Sequence, residues 1–271
     1  MRKNIFELLE GKQVEIRKEY FAINKLFEHT NFCFASSICE YVNSNLFTEW
    51  KFRNRYISLT SMMSDLEITE IHMISMDKIN TDNLLLYIEL IINVMTLIDM
   101  NRLTVYDMKT YKTLMQNIYD LLEDLNYKIK ILSDSRLVIV EKDKVLTAVA
   151  ETNNNISDSL IEYRRFALKG KLKEKKDILN LLAGEIEPLK SKFKGTTYWG
   201  MMDDVQFMLN NIHIRHNNKE GKLRKEYIVN LSDEELEKLY DKTFDMILGI
   251  YVVKEYLDNK NEIDNLKKEM N

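Results

Sequence analysis

Residues 210–218 read NNIHIRHNN and gather two histidines, one arginine and four asparagines within nine positions. Imidazole is the side chain whose ordinary pKa lies nearest neutrality, so His213 and His216 are able to take up or release a proton at physiological pH. Arg215 adds a permanent guanidinium fork of the kind that grips phosphate. Asn210, Asn211, Asn217 and Asn218 offer hydrogen bonds without charge. Together these groups suit proton transfer beside a bound phosphate. A structural reading competes with this one: Asn217 and Asn218 cap the end of a helix, and the two histidines complement its dipole. Lys190, Lys192 and Lys194 precede the stretch and Lys219, Lys222, Arg224 and Lys225 follow it. They read either as a groove for a nucleic-acid backbone or as solvated loops.

The rest of the chain offers few rivals. It contains no Gly-rich phosphate loop, GxSxG elbow, HExxH helix or CxxC pair, which removes the commonest short-motif enzymes. His29 and His72 stand alone and read as structural residues. Cys33 and Cys39 fit neither a disulfide framework nor a zinc pattern and read as buried free thiols. No metal and no cofactor is therefore expected. A formal net charge of −4 excludes a globally basic nucleic-acid binder but allows local basic patches. Charges interrupt the opening MRKNIFELLEGK, which argues against a secretory signal. The most apolar run, residues 84–100, is broken by Glu89, Asn93 and Asp99 and falls short of the roughly 20 clean residues of a spanning helix. The expectation is a cytoplasmic chain with no membrane contact.

The elements that must position the histidine stretch are mostly helices. In 271 residues there are one proline and seven glycines, so the backbone has few strong breakers. Apolar spacing predicts helices over residues 3–28 and through 32–78, one capped by Thr81 or Asp82 that runs to about Met100, and one opened by Thr104 or Asp107 that runs to about Leu125. Residues 127–131, 136–140 and 145–150 alternate or are rich in β-branched side chains, which predicts a small three-stranded antiparallel meander. Beyond it the pattern predicts a helix over 157–168 stopped by Gly170, one over 172–189 kinked or restarted at Pro188, one over 198–216, and a last one from Ser232 to about Asp258. That last helix opens on a capping box with Glu235. The fold class is mainly α, helical bundles with this small meander between them. The parts are a helical region 1–125, the meander 126–151 and a second helical domain 152–271. On a helical wheel for 203–217, Asn210, His213 and Asn217 share one polar face, while His216 and Arg215 flank the apolar stripe.

Residues 159–218 also carry a family resemblance. Glu162-Tyr163, the Lys-rich turn 171–176, Ile186-Glu187-Pro188 and then LNNIHIRHNN resemble HEPN domains, and within them the helical proteins of bacterial abortive-infection and toxin systems. The preceding meander leading into Glu151 resembles the same group. The first 120 residues match nothing in it. The resemblance implies a metal-independent endoribonuclease that acts as a toxin or anti-phage effector. It also admits a non-catalytic HEPN-like module that senses or binds RNA, a nucleotide or a protein partner. By resemblance His216 stands at the signature histidine. The family's arginine, a few residues earlier, is replaced by Asn210 or Asn211, and the arginine of this stretch is Arg215. On this view His216 and Arg215 are catalytic, and Asn210, Asn211, His213 and Asn217 bind substrate. The implied partners are RNA, a second copy of the chain in a homodimer, and an antitoxin or defence-system protein.

Overall fold

The structure, a computed structural model, describes residues 14–68 and 79–270. The expected helix start at residues 3–13, the segment 69–78 and His72 lie outside the described residues. The fold is mainly α, with one small two-stranded antiparallel sheet among the described residues, and it divides into two compact units, Met1–Lys142 and Asp143–Asn271.

The N-terminal unit contains α1 (Ile16–Glu28), α2 (Ile38–Asn45), α3 (Leu59–Asp65), α4 (Thr81–Met95), α5 (Val105–Asp124), β1 (Tyr127–Ile131) and β2 (Leu137–Glu141). The cap of α4 is Asn80 rather than Thr81 or Asp82: its side chain accepts from Asn83 N–H and Asn83 returns the bond. Thr104 caps α5 by accepting from Asp107 N–H. Helix α4 buries Leu84, Leu85, Tyr87, Ile88, Ile91 and Val94 among others, an apolar surface most of the way round that suits a core helix. Tyr87 stacks on Tyr20 at 5.0 Å between ring centroids and accepts from Asn24 at 3.2 Å. Cys33 and Cys39 are free but only partly buried; burial pushes their thiols up to about 11 and about 12, so neither is a thiolate at neutral pH. His29 is exposed and ends α1 as its C-cap.

The sheet corrects the three-stranded expectation. β1 pairs β2 from Tyr127 opposite Glu141 to Ile131 opposite Leu137, but residues 145–150 lie in a helix. Asp143 decides this, because its carboxylate accepts from Val145 and Leu146 N–H and caps the helix, and Leu146, Val149 and Ala150 then face the core at helical spacing. The free edge of β2 is served by α4 instead. Asn93 accepts from Leu137 N–H at 3.0 Å and donates to Leu137 C=O at 2.6 Å, and Glu89 accepts from Ile139 N–H at 2.8 Å. Two of the polar residues that interrupt the apolar run thus take the place of a third strand and cover an edge that would otherwise be open.

Phe32 and Ala35 exchange backbone hydrogen bonds across a two-residue turn. Its central residues, Cys33 and Phe34, have φ of +45° and +65°, a turn geometry that favours asparagine and glycine. Phe34 is fully exposed, so its ring gains nothing in packing to offset the strain. The turn lines a cavity of about 530 Å³ with Thr104, Tyr106 and Asp107, where both Asp107 oxygens are engaged, by Cys33 N–H and by the Thr104 hydroxyl. Replacing Phe34 by glycine is expected to raise stability by about 1 kcal/mol. Urea denaturation checks this, and an unchanged or lower midpoint contradicts it.

The C-terminal unit contains α6 (Lys144–Thr152), α7 (Ser157–Tyr163), α8 (Leu172–Ile186), α9 (Lys190–Phe193), α10 (Trp199–Asn211), α11 (Glu226–Val229) and α12 (Asp233–Glu269). Ser232 and Glu235 form the expected capping box, and α12 runs past Asp258 as a rod of about 55 Å against which α6, α8 and α10 pack. The helix expected over 157–168 breaks after Tyr163 and resumes as a single 3-10 turn, Phe166–Leu168; Gly170 follows at φ +76°. Pro188 lies in another 3-10 turn, Glu187–Leu189, that ends α8 at Ile186. Tyr163 stacks on Phe244 at 4.1 Å and donates to Asp241 at 3.0 Å. Lys175, only 7% exposed, bridges Glu237 at 2.8 Å and Asp241 at 2.7 Å. The Lys-rich turn therefore supplies a buried ion bridge as well as surface charge. No helix among the described residues is long and apolar enough to cross a membrane.

Candidate functional site

The helix expected over 198–216 stops at Asn211. His213 takes φ +66°, the left-handed position after a helix end that usually falls to glycine or asparagine. Asn218 supports that conformation. Its side-chain oxygen accepts from His213 N–H at 2.7 Å, and its own N–H donates to His213 Nδ1 at 3.2 Å. Its amide nitrogen donates to Leu223 C=O at 3.2 Å and its carbonyl accepts from Lys225 N–H at 2.8 Å. Asn218 is 1% exposed, so all four of its polar groups are satisfied inside the fold. Arg215 N–H closes the loop onto Leu209 C=O at 3.0 Å, Asn180 holds Ile214 C=O at 3.1 Å and the Tyr240 hydroxyl reaches His213 C=O at 3.4 Å. Ile212 and Ile214 are buried. The loop is thus pinned to α8 and α12 along its length.

The candidate residues separate accordingly. Arg215 turns inward: Nη1 donates to Gln206 at 3.1 Å, while Nη2 donates to Ala183 C=O at 2.7 Å and to Glu187 at 2.8 Å. It ties the loop to the last turn of α8, where a cation is favoured by the helix dipole. Lys190, first, and Arg215 hold the Glu187 carboxyl below its usual range. His216 is exposed and makes no hydrogen bond to any described residue. Asn211 donates back to Phe207 C=O at 2.7 Å in its own helix. Asn217 accepts from Lys219 N–H at 3.2 Å and donates to Glu220 at 3.4 Å. Asn210 is partly exposed near the end of α10. The shared face of Asn210, His213 and Asn217 does not form, because the chain leaves the helix before His213.

What the structure brings together instead is His213, Lys176 and Lys219. Lys176 Nζ lies 3.3 Å from His213 Nε2. Burial, then the charges of Lys176 and Lys219, depress the His213 pKa; burial also depresses that of Lys176, partly offset by Asp177 and reinforced to a lesser degree by Lys219. Lys176 and the keystone role of Asn218 escaped the sequence reading. The Lys-rich turn was the one signal for Lys176, and helical phase does not tell which of Lys175 and Lys176 faces this loop.

A depressed histidine pKa fixes the sign of a pH effect. The unfolded chain binds a proton near 6.5 and the folded chain only at lower pH, so this contribution to stability is complete above that value and is lost as pH falls through the folded pKa. Asparagine at position 213 tolerates positive φ and keeps an acceptor for Asn218 N–H but does not titrate. His213→Asn is therefore expected to flatten the loss of stability between pH 7.5 and 5. Urea midpoints across that range test it, and equal slopes for the two proteins contradict it.

Among the described residues no group of three or more His, Cys, Asp or Glu is arranged to hold a metal ion. No protein-family model, curated protein or solved structure matches the chain.

Proposed function

We propose that the protein is a metal-independent endoribonuclease of the HEPN type, acting in the cytoplasm as a toxin or anti-phage effector, with His216 as its proton-transfer group. The observation that carries this reading is a loop fixed by the hydrogen bonds of the buried Asn218 that leaves one imidazole, His216, exposed and unengaged. General acid-base catalysis needs such a group held in place yet free to meet the substrate. Lys176 and Lys219 supply positive charge around His213 in the same loop. Arg215, tied to Glu187, acts by holding the loop rather than by gripping phosphate. A homodimer that pairs two loops about a two-fold axis would give one imidazole for the 2′-OH proton and a second for the leaving oxygen.

Incubation with mixed cellular RNA in the presence of a chelator tests this. Fragments ending in 2′,3′-cyclic phosphate are expected, and 2′-deoxy substrates should resist cleavage. RNA left intact by folded protein under all conditions refutes it.

The second reading is a non-catalytic module that binds RNA, a nucleotide, or an antitoxin or defence-system protein. It is favoured by the engagement of Arg215 with three acceptors, which leaves no free guanidinium for transition-state charge. Retention of RNA without cleavage separates it from the first.

A further inference from the structure

A neutral imidazole has one donor nitrogen and one acceptor nitrogen. Asn218 N–H reaches His213 Nδ1, and a backbone amide only donates. Nδ1 is therefore the bare nitrogen and the ring proton sits on Nε2. The group facing Nε2 at 3.3 Å is the Lys176 ammonium, which also only donates. Two donors confront each other with no acceptor between them. Lys219 adds a third positive group close enough to depress both, against the acidic neighbours Asp177 and Glu220, and Glu220 is hydrogen-bonded to Asn217. Neither carboxylate is hydrogen-bonded to Lys176 Nζ or His213 Nε2 among the described residues.

We propose that Lys176 Nζ and His213 Nε2 form a two-donor subsite for a phosphate oxygen, which holds a phosphodiester of the RNA strand neighbouring the one at which His216 acts. The proposal rests on the RNA-directed reading of this loop. A phosphate oxygen accepts from both nitrogens at once, and each bond is strengthened by charge. Asn218 sets the subsite by fixing the tautomer, so the same hydrogen bond that locks the loop also aims the ring proton at the ligand.

Two measurements on the full chain test this. In the first, inorganic phosphate is titrated while the His213 ring nitrogens are followed by NMR. The ring is expected to start as the Nε2–H tautomer, and its Nε2 signal to move with phosphate. In the second, a short 2′-O-methyl RNA, which has no free 2′-OH and so separates binding from cleavage, is followed by fluorescence anisotropy. Lys176→Gln is expected to weaken binding about tenfold and to reduce the salt slope by about 0.7, one single-strand phosphate contact. Lys176→Arg should retain most of the affinity, which separates loss of the contact from loss of the fold. Lys268→Gln should bind as the wild type, since Lys268 lies about 42 Å along α12 from Tyr240, the residue that touches the His213 carbonyl.

If the signal moves and Lys176→Gln weakens binding while the wild type cuts no RNA, the subsite stands and the nuclease reading falls. If phosphate moves the signal but Lys176→Gln binds the strand normally, the ligand is a free phosphate and the assignment to RNA is overturned. If phosphate leaves His213 unmoved and Lys176→Gln binds normally, the subsite itself is overturned. Should Lys176→Gln fail to fold, the phosphate titration of the wild type decides whether the subsite exists, and movement of the same Nε2 signal on adding the 2′-O-methyl RNA decides whether it takes the strand.

Discussion

Replacing His216 by alanine is expected to slow RNA cleavage by roughly 10²- to 10⁴-fold, the range contributed by a positioned general acid or base, while leaving the fold intact. The side chain is exposed and holds no described residue by a hydrogen bond, so its removal orphans nothing inside the protein. Arg215→Ala provides the contrast. It strips a donor from Gln206, the Ala183 carbonyl and Glu187 together, so any fall in rate should come with a fall in stability. Initial rates on a defined RNA, measured beside urea midpoints, distinguish the two residues. A His216→Ala protein that cuts at the wild-type rate, or that unfolds, removes His216 from the chemistry.

Asn218→Ala is expected to cost about 1–3 kcal/mol of stability. The estimate follows from His213 N–H, which loses its partner in the part-buried loop, at roughly 1–3 kcal/mol for an unsatisfied group; Leu223 C=O also loses its donor, but Leu223 is 53% exposed and water can take that place. The left-handed backbone at His213 also loses its support, so the loop should relax and cleavage should fall even though Asn218 meets no substrate. Asn218→Asp keeps an accepting oxygen for His213 N–H but sets its second carboxylate oxygen against Leu223 C=O at a position only 1% exposed, so it should recover little of the loss. Equilibrium urea denaturation gives both values. A loss below about 0.5 kcal/mol for Asn218→Ala, typical of an indifferent surface position, would show that the loop does not depend on this residue.

Much of the scaffold was legible because its signals are local. The capping box at Ser232 and Glu235, the Thr104 cap and the break at Pro188 all act through hydrogen bonds or steric limits within a few residues of chain. So does the mainly helical character that follows from so few glycines and prolines. The third strand misled because Val145, Val149 and their neighbours suit strand and helix alike. The choice was made by Asp143 capping a helix and by Glu89 and Asn93, 44 to 50 residues away along the chain, occupying the edge where a strand would have paired.

For the candidate site, the sequence by itself determined which groups are present: two imidazoles, a guanidinium and an unusual density of amides in residues 210–218. Tertiary structure alone decided where each one points. The wheel assumed that the helix continued, whereas Asn218 diverts His213 N–H from it and turns the chain at φ +66°. Arg215 faces α8 because Ala183, Gln206 and Glu187 converge on it, and Lys176 meets His213 across 37 residues of sequence. Hydrogen-bond partners brought together by folding do not leave a periodic trace along the chain, so residue types and helix caps were readable in the sequence, and the pairing of donors with acceptors was fixed only when the chain closed on itself.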